Sequence, residues 1–285
     1  MYSFDDTFFK RIDTEEKAYV LGFFFADGYN SETQLEFSQI EQDEDILVKI
    51  NSALKSDIPL YSYKNSSGNI KKVLRISSRE MCKDISLLGG IKNKSLILQF
   101  PTCVPDSLIH HFIRGYFDGD GCIWNGKRKK SIVKDNKSKT GYRERIIHNV
   151  KFTFTGCIDL INSLQDLLVE KKVVKNKTKL NLSKAKDKEN SRWCTMEYSG
   201  RGQIKNLFDF LYKDATIYGQ RKYNKFQEIF CALDEKSSSE LGLIAGMSEM
   251  AISSQASSNT EDEGSSTIPE MEVESSDSKC PTLSE

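Results

Sequence analysis

Two short apolar segments of this 285-residue chain repeat one pattern, with a glycine in the middle and Asp-Gly at the end. The first segment covers residues 19–28 and the second covers residues 112–121. Aligned on their last acids, Asp27 and Asp120, the two copies lie 93 residues apart. A repeat at this spacing predicts that the chain contains a duplicated structural unit.

Each segment predicts a helix with small residues four positions apart, which places them on one face of the helix. Small residues allow two helix backbones to approach closely. We therefore expect the two helices to pack side by side through this face. The residues of the expected interface are Gly22, Ala26, Gly115 and Gly119.

Such packing would bring Asp27 and Asp120 together at matched helix ends. Gly28 and Gly121 follow these acids, and each glycine predicts a left-handed turn that ends its helix. Two neighbouring carboxylates repel each other unless a cation lies between them, and hard oxygen ligands suit Mg²⁺. The pattern therefore indicates a Mg²⁺ site formed by the two acids.

Residues 20–28 and 113–121 resemble the paired motifs of the LAGLIDADG homing endonuclease family. Phe25 departs from the motif, which has Asp at that position, whereas Asp118 keeps it. The resemblance implies an α/β (α+β) fold of two pseudo-symmetric αββαββα halves, with antiparallel DNA-binding sheets and an interface made by the motif helices. It also implies that Asp27 and Asp120 bind the catalytic metal.

The rest of the pattern is compatible with two such halves, residues 1–106 and 107–235. Alternation and helical spacing predict the elements of the first half, with Asp13 or Thr14 as the cap of the first helix. These elements are a strand at 34–40, a helix at 43–54, a hairpin of 60–64 and 71–77, and a helix at 79–88. In the second half we expect strands at 122–125 and 148–155, a helix at 159–171, a hairpin of 178–183 and 192–199, and a helix at 204–212.

A twisted antiparallel sheet can enter the major groove of DNA. There, polar side chains contact the edges of the nucleobases, and lysine and arginine side chains contact the phosphates. We expect residues 127–145, a basic stretch opposed by two acids, to form a loop that binds DNA. The candidate DNA-binding residues are Ser31, Gln34, Glu36, Ser38, Tyr61, Tyr63, Lys64, Asn69, Lys71, Arg75, Asn125, Lys127, Arg128, Lys151, Lys179, Asn181, Lys184 and Arg192.

The resemblance implies three further catalytic residues. Lys94 and Lys222 occupy family-like segments near the ends of the two halves, and in relatives such lysines stabilise charge on the phosphate. Gln39 follows the first motif at a place where relatives carry a polar residue that orients water.

Charge and cysteine patterns indicate the compartment and the class of partner. The chain has no net formal charge, but the residues from Ser237 onward carry ten acids and one base. The remainder is therefore basic, as expected of a nucleic-acid binder. Seven scattered cysteines predict reduced thiols in an intracellular protein, and the apolar run at 18–26 is too short to span a membrane. The Ser-rich acidic tail, 236–285, is expected to be disordered.

The prediction from the sequence is a monomeric endonuclease that cuts double-stranded DNA with Mg²⁺. A DNA- or RNA-binding descendant without activity, acting as an intron-splicing cofactor (maturase) or a regulator, is the alternative. An intein would need a nucleophile at residue 1 and a His-Asn end, so we expect a free-standing protein.

Overall fold

The structure is a computed structural model that describes residues 2–92, 97–134, 137, 141–183 and 192–231, with only the backbone of 127–133 and 143–148. Contacts divide the chain into two units, Met1–Ala232 and Leu233–Glu285. The second unit lies outside the described residues, as does the tail for which we predicted disorder. The account below concerns the first unit.

The first unit contains two copies of the element order αββαββα. The first copy consists of α1 (Glu15–Asp27), β1 (Gly28–Asn30), β2 (Leu35–Ile40), α2 (Glu44–Ala53), β3 (Tyr61–Lys64), β4 (Ile70–Ile76) and α3 (Arg79–Leu87). The second consists of α4 (Ile109–Asp120), β5 (Gly121–Lys134), β6 (Tyr142–Cys157), α5 (Ile158–Glu170), β7 (Asn181–Leu182), β8 (Trp193–Ser199) and α6 (Arg201–Tyr212). A further helix, α7, covers residues 220–231.

Each copy forms a four-stranded antiparallel sheet, in the order β1-β2-β4-β3 and β5-β6-β8-β7. The predicted fold class, two αββαββα halves packed through the motif helices, is therefore confirmed. None of the described helices is long and apolar enough to cross a membrane.

Aromatic contacts show how closely the two copies match. Phe24 of α1 packs edge-on against Phe37 of β2, with ring centroids 5.5 Å apart and ring planes at 75°. Phe117 of α4, 93 positions after Phe24, packs in the same way against Phe154 of β6, at 5.6 Å and 74°. These rings bury the inner face of each sheet against its motif helix. The repeat seen in the sequence is thus a repeat in space, and residues in the two halves can be compared position by position.

The motif helices α1 and α4 approach so closely that side chains are excluded between them. A Cβ on Gly22 would lie 1.9 Å from the carbonyl oxygen of Phe112, and a Cβ on Gly115 would lie 2.0 Å from that of Tyr19. Tyr19 and Phe112 are themselves equivalent in the repeat, so the two contacts are related by a pseudo-twofold axis. Further along, a Cβ on Gly119 would lie 2.3 Å from the Cβ of its equivalent, Ala26.

The left-handed turn predicted at Gly28 and Gly121 is wrong. Gly28 has φ −83° and ψ 150°, and Gly121 has φ −91° and ψ 160°, so both are extended and begin strands β1 and β5 directly. Glycine is needed there because a Cβ would lie 2.2 Å from the ring of Phe24 or 2.1 Å from that of Phe117. Close packing of the preceding ring, rather than backbone conformation, explains these glycines.

The second half also differs from prediction at its strand ends. The basic stretch expected as a loop belongs mostly to β5 and β6, which pair from Gly121 with Phe154 out to Lys134 with Tyr142. The strand expected at 178–183 is short, since β7 contains only Asn181–Leu182. Alternation is difficult to recognise in a run of lysines, because their long side chains fit either face of a ribbon.

A buried guanidinium connects the two halves to the segment after α6. Arg114 of α4 has no exposed surface, and its guanidinium donates to Glu15 Oε1 at 2.6 Å and to the carbonyl oxygens of Leu211 at 2.7 Å and Ile217 at 2.9 Å. Burial and the Arg114 charge lower the pKa of His111 to about 4, so a neutral His111 accepts from Arg114 at physiological pH. With these partners four of the five N–H groups of the buried guanidinium are hydrogen-bonded, which compensates for its burial.

The helix contact leads to a prediction about stability. Gly115→Ala places a methyl group against the backbone of α1, and backbone cannot move aside without separating the helices. We expect a loss of about 1–3 kcal/mol in unfolding free energy, measured by urea denaturation. Gly202→Ala is the matched control, because no atom lies within 4 Å of its Cβ position in α6. An unchanged midpoint for Gly115→Ala would contradict the close helix packing.

Candidate active site and nucleic-acid interface

The two acids of the motif repeat close α1 and α4 at matched ends. Asp27 is the last residue of α1 and Asp120 is the last residue of α4. The carboxylate of Asp27 extends toward the partner helix, because its Oδ2 lies 3.3 Å from the Cβ position of Gly119. Since the Ala26–Gly119 contact lies on the pseudo-twofold axis, the close packing of the helices brings both acids to the same end of the interface.

Gln39 contacts the first acid directly. Its Nε2 donates to Asp27 Oδ2 at 2.5 Å, from a position near the end of β2. The side chain lies on the inner face of the sheet, the face of Phe37, and so reaches the end of α1 and not the outer surface. A residue two positions past Phe37 is needed for this contact, which explains why the sequence places the amide there.

Lys222 lies at the end of the other motif helix, where it is 8% exposed. Its ammonium donates to the carbonyl oxygens of Phe117 at 2.7 Å, Asp118 at 2.8 Å and Gly119 at 3.2 Å. The carbonyls of Asp118 and Gly119 are among those that a helix leaves without partners at its C-terminus, whereas the Phe117 carbonyl also accepts from the Gly121 N–H. Burial lowers the pKa of Lys222, while the charges of Asp118 and Asp27 raise it. In this structure Lys222 holds the end of α4.

Asp118, the motif acid that Phe25 replaces in the first copy, is also buried. Its Oδ2 accepts from the Tyr19 hydroxyl at 2.8 Å and from the Gly219 N–H at 2.6 Å. Burial raises the pKa of Asp118, and the nearby Lys222 charge lowers it. Asp118 therefore fastens the segment before α7 to both motif helices.

A cavity of about 570 Å³ opens next to the acid pair, between the end of α4 and α7. Gln39, Gly119 and Lys222 line it, together with an ion pair in which Arg221 donates to both oxygens of Asp43, each at 2.7 Å. Asp43 is buried, whereas the Arg221 side chain is 52% exposed. The guanidinium thus remains accessible at the rim of the cavity.

Most of the polar residues predicted to bind DNA in the first half lie together on the face of the sheet opposite Phe37 and Leu74. Register shows this, since Glu36 pairs with Arg75 and with Tyr29 across neighbouring strands. Arg75 donates to Glu36 Oε2 at 2.7 Å and lies over the ring of Tyr61. We call this surface the first outer face; its residues are Tyr29, Glu36, Ser38, Tyr61, Tyr63, Lys71 and Arg75.

The second sheet has an equivalent surface. Lys151 pairs with Trp124 in register and forms a salt bridge to Glu197 at 2.7 Å. Trp124 is 42% exposed and its ring crosses Gly126, where a Cβ would lie 2.2 Å from it. We call this surface the second outer face; its residues are Cys122, Trp124, Lys151, Thr153, Asn181, Thr195 and Glu197.

Other predicted DNA-binding residues lie elsewhere. Arg192 pairs with Asp159 at the start of α5, on the helix side of the sheet. Lys64 points to the face opposite Tyr63 at a hairpin end. The positions of the remaining predicted residues are as follows: Ser31 and Gln34 bond within the β1–β2 turn and to Ser77, Asn69 closes the β3–β4 turn, Asn125 follows Ile123 in β5, and Lys179 is exposed before β7.

Some predicted residues cannot be placed. Lys94 and Lys184 lie outside the described residues, and Lys127 and Arg128 belong to the part of β5 whose backbone alone is described. Conversely, the structure adds residues that sequence reasoning missed. Tyr29 belongs to the first outer face and Trp124 to the second. Strand alternation would have identified both, since Tyr29 lies two residues after Asp27 and Trp124 lies four residues after Asp120.

The acid pair fits a divalent cation of the Mg²⁺ type. In the described part of the chain, no group of three or more His, Cys, Asp or Glu side chains is arranged to hold a metal. Mg²⁺ is commonly held by one or two carboxylates while water and substrate phosphates complete its shell. Two aspartates next to an open cavity match that donor set, and Asp27 and Asp120 would hold the ion.

The fold and the site define a class: a single chain with duplicated αββαββα halves, an acid pair at the joint and two polar sheet faces. Residues 107–229 match the family model described as "LAGLIDADG-like domain". That segment contains α4 and the second sheet. The pseudo-twofold axis relates them to α1 and the first sheet, so the first half has the same arrangement. Residues 107–229 are therefore similar to the LAGLIDADG family, and the first half of the chain repeats the same order of elements.

Solved structures of low sequence identity resemble the chain. The I-LtrWI LAGLIDADG homing endonuclease bound to target DNA is 16% identical, covering 78% of this chain and 91% of that one, with a TM-score of 0.48. The meganuclease I-AabMI bound to uncleaved DNA is 16% identical over the same shares, with a TM-score of 0.44. I-SmaMI bound to an uncleaved DNA target in the presence of calcium ions is 14% identical, covering 77% and 92%, with a TM-score of 0.47. No curated protein sequence matches the chain.

The position of Lys222 gives a prediction about stability that a purely phosphate-binding lysine would not share. Lys222→Met leaves three carbonyls and the buried Asp118 without their cation, so we expect a loss of about 3–5 kcal/mol in unfolding free energy. Lys225→Met is the control, because Lys225 lines the same cavity but forms an exposed pair with Glu228. Its expected change is within about 0.5 kcal/mol. Equal effects of the two variants in thermal unfolding would refute the capping role.

Proposed function

We propose that this protein is a site-specific endonuclease that hydrolyses both strands of duplex DNA with Mg²⁺. The observation that carries the proposal is the acid pair, one aspartate from each half, held at the joint of two matched sheets. A stabilising role alone does not explain it, because two acids at one helix interface repel each other in the absence of a cation. The DNA-bound state of the similar structures supports the same substrate class.

The cation would supply Lewis-acid stabilisation of the phosphate and a more acidic bound water. The chain's own residues do the rest. Asp27 and Asp120 provide the negative charge that holds the ion, and Gln39 orients Asp27 by donating to its Oδ2. The amide oxygen of Gln39 can accept a hydrogen bond from a water molecule and so align it. Lys222 keeps Asp120 in place by holding the final turn of α4.

DNA would lie across the two outer faces. Each face combines hydrogen-bonding side chains with cations, the combination that reads base edges and neutralises phosphates. The pseudo-twofold places one face on each side of the acid pair, so contacts would extend along both arms of a target. One chain can then contact both half-sites of the DNA target, and we propose that the protein acts as a monomer. The free thiols of the described cysteines are compatible with action inside the cell.

Substitution of the acids tests the activity. Asp27→Asn and Asp120→Asn keep the side-chain shape but remove the charge, so we expect cutting of both strands to fall at least about 100-fold. DNA affinity should hold or rise, since a charge that repels phosphates is gone. The test first selects cleaved sites from a random duplex library with Mg²⁺, and then times plasmid linearisation.

The control is Asp209→Asn, which removes an exposed acid of α6 paired with Lys205. It should cut at the wild-type rate. Wild-type cutting by either motif variant would show that the assigned acids are wrong. If the wild-type protein binds one duplex tightly and cuts none, it is instead a binding protein, such as a splicing cofactor or a regulator.

Two neighbouring lysines test the DNA-binding surface. Lys71 lies on the first outer face opposite Tyr63, whereas Lys72 faces the helices and pairs with Glu41 and Glu44. Lys71→Ala should weaken DNA binding and reduce the slope of log K against log salt by about 0.9, the value for one phosphate contact. Lys72→Ala should leave that slope unchanged. Equal slopes for both variants in fluorescence anisotropy would place DNA elsewhere.

A further inference from the structure

The two halves match closely in their packing, yet differ at one pair of positions beside the acids. Gly28 pairs with Phe37 in the first sheet, and Gly121 pairs with Phe154 in the second. The strand residue equivalent to Gln39 is therefore Gly156, two positions beyond Phe154. The second sheet consequently has no side chain where the first sheet has the amide that contacts Asp27.

A second difference accompanies the first. Tyr116 is equivalent to Phe23 in the repeat, and both rings stack on their sheets with the same geometry, Phe23 on Phe37 at 6.4 Å and Tyr116 on Phe154 at 6.2 Å, each at 28°. The tyrosine differs only by its hydroxyl. Because the two rings have the same stacking geometry, the hydroxyl of Tyr116 is an addition at the outer edge of the ring, and it extends toward strand β6.

The hydroxyl occupies the space that the missing side chain would use. A Cβ on Gly156 would lie 2.1 Å from the Tyr116 oxygen, which is closer than two such atoms can approach. Gln39 with Phe23 and Gly156 with Tyr116 are thus alternative ways to fill one site. In the second half the polar atom comes from the motif helix, not from the strand.

The hydrogen bonds of the two polar groups differ. The amide of Gln39 donates to Asp27 and keeps an oxygen that can accept. The Tyr116 hydroxyl donates its proton to the carbonyl oxygen of Thr155 at 2.8 Å, so its remaining capacity is to accept. Burial and then the charge of Asp120 raise the pKa of Tyr116 well above its usual value.

We propose that the Tyr116 hydroxyl aligns water in a second catalytic centre, on the Asp120 side of the shared cation site, as Gln39 does in the first centre on the Asp27 side, and that the two DNA strands are therefore cut at unequal rates. The inference rests on the proposed endonuclease function. Tyr116 is a positioning residue, since its oxygen accepts from water and transfers no proton. The centre with Gln39 is the faster one, because the amide both fixes its aspartate and accepts from water.

The principal test follows the two strands separately on an end-labelled duplex containing the selected site. Wild-type protein should nick one strand first, and Gln39→Ala should slow that strand about tenfold. Tyr116→Phe should slow the other strand by a similar factor, and it should fold, because phenylalanine stands at the equivalent position 23. Equal rates for the two strands in the wild type, or slowing of the same strand by both variants, would overturn the proposal.

A gain-of-function variant makes the test stricter. Tyr116→Phe combined with Gly156→Gln rebuilds the first centre in the second half, and removal of the hydroxyl provides room for the new side chain. The slower strand should then be cut within about threefold of the faster one. Failure to speed this strand, in a variant that melts like the wild type, would overturn the assignment of Tyr116.

A measurement without DNA separates this inference from the endonuclease proposal. Terbium(III) takes hard oxygen ligands, and a phenol close to it sensitises its emission. Tyr116→Phe should lower terbium emission on excitation of tyrosine. Tyr198→Phe is the control, since Tyr198 is buried in β8 and its hydroxyl contacts the Asn176 carbonyl. Absence of any cutting would reject the endonuclease alone, whereas equal emission from both variants would reject the placement of Tyr116 beside the cation site.

Discussion

The contact between the backbones of α1 and α4 is the interaction on which the rest of the structure depends. Gly22 and Gly115 face carbonyl oxygens of the partner helix at distances that exclude even a methyl group. No other residue type permits this approach, and only this approach brings the ends of the two helices together. The acid pair, the cavity beside it and the placement of the two outer faces about one axis all follow from the same contact.

A duplicated chain can specialise its halves, which a symmetric homodimer cannot do. Here the shared packing is kept while single positions diverge. Buried Leu21 corresponds to Arg114, whose guanidinium binds Glu15 and the segment after α6. Phe25 corresponds to Asp118, which receives the Gly219 N–H. In both cases only the second copy carries a buried charge at this position, and that charge attaches the C-terminal part of the described chain, so the asymmetry serves to fasten α7.

Features that depend on residue type and spacing were accessible from the sequence. The small residues at positions 22, 26, 115 and 119 predicted the helix contact, and alternation predicted most strands. What was missed depends on tertiary distance. Gly28 was interpreted through backbone conformation, because its contact with the Phe24 ring cannot be recognised from the sequence. The role of Lys222 was likewise hidden, because nothing in the sequence shows that its amine reaches three carbonyls of α4. The equivalence of Gln39 and Gly156 needed the strand register.

The central claim is that one cation site is shared by the two halves, and paramagnetic relaxation by Mn²⁺ tests it most directly. The amides of Gly28 and Gly121 follow the two acids, and in an NMR titration of the protein–DNA complex the relaxation enhancement of each amide gives its distance from the ion. We expect both amide signals to broaden together at the same Mn²⁺ concentration, and Asp27→Asn to reduce the broadening at Gly121 as well as at Gly28. Broadening of one amide alone, or an effect of Asp27→Asn confined to Gly28, would contradict the shared site.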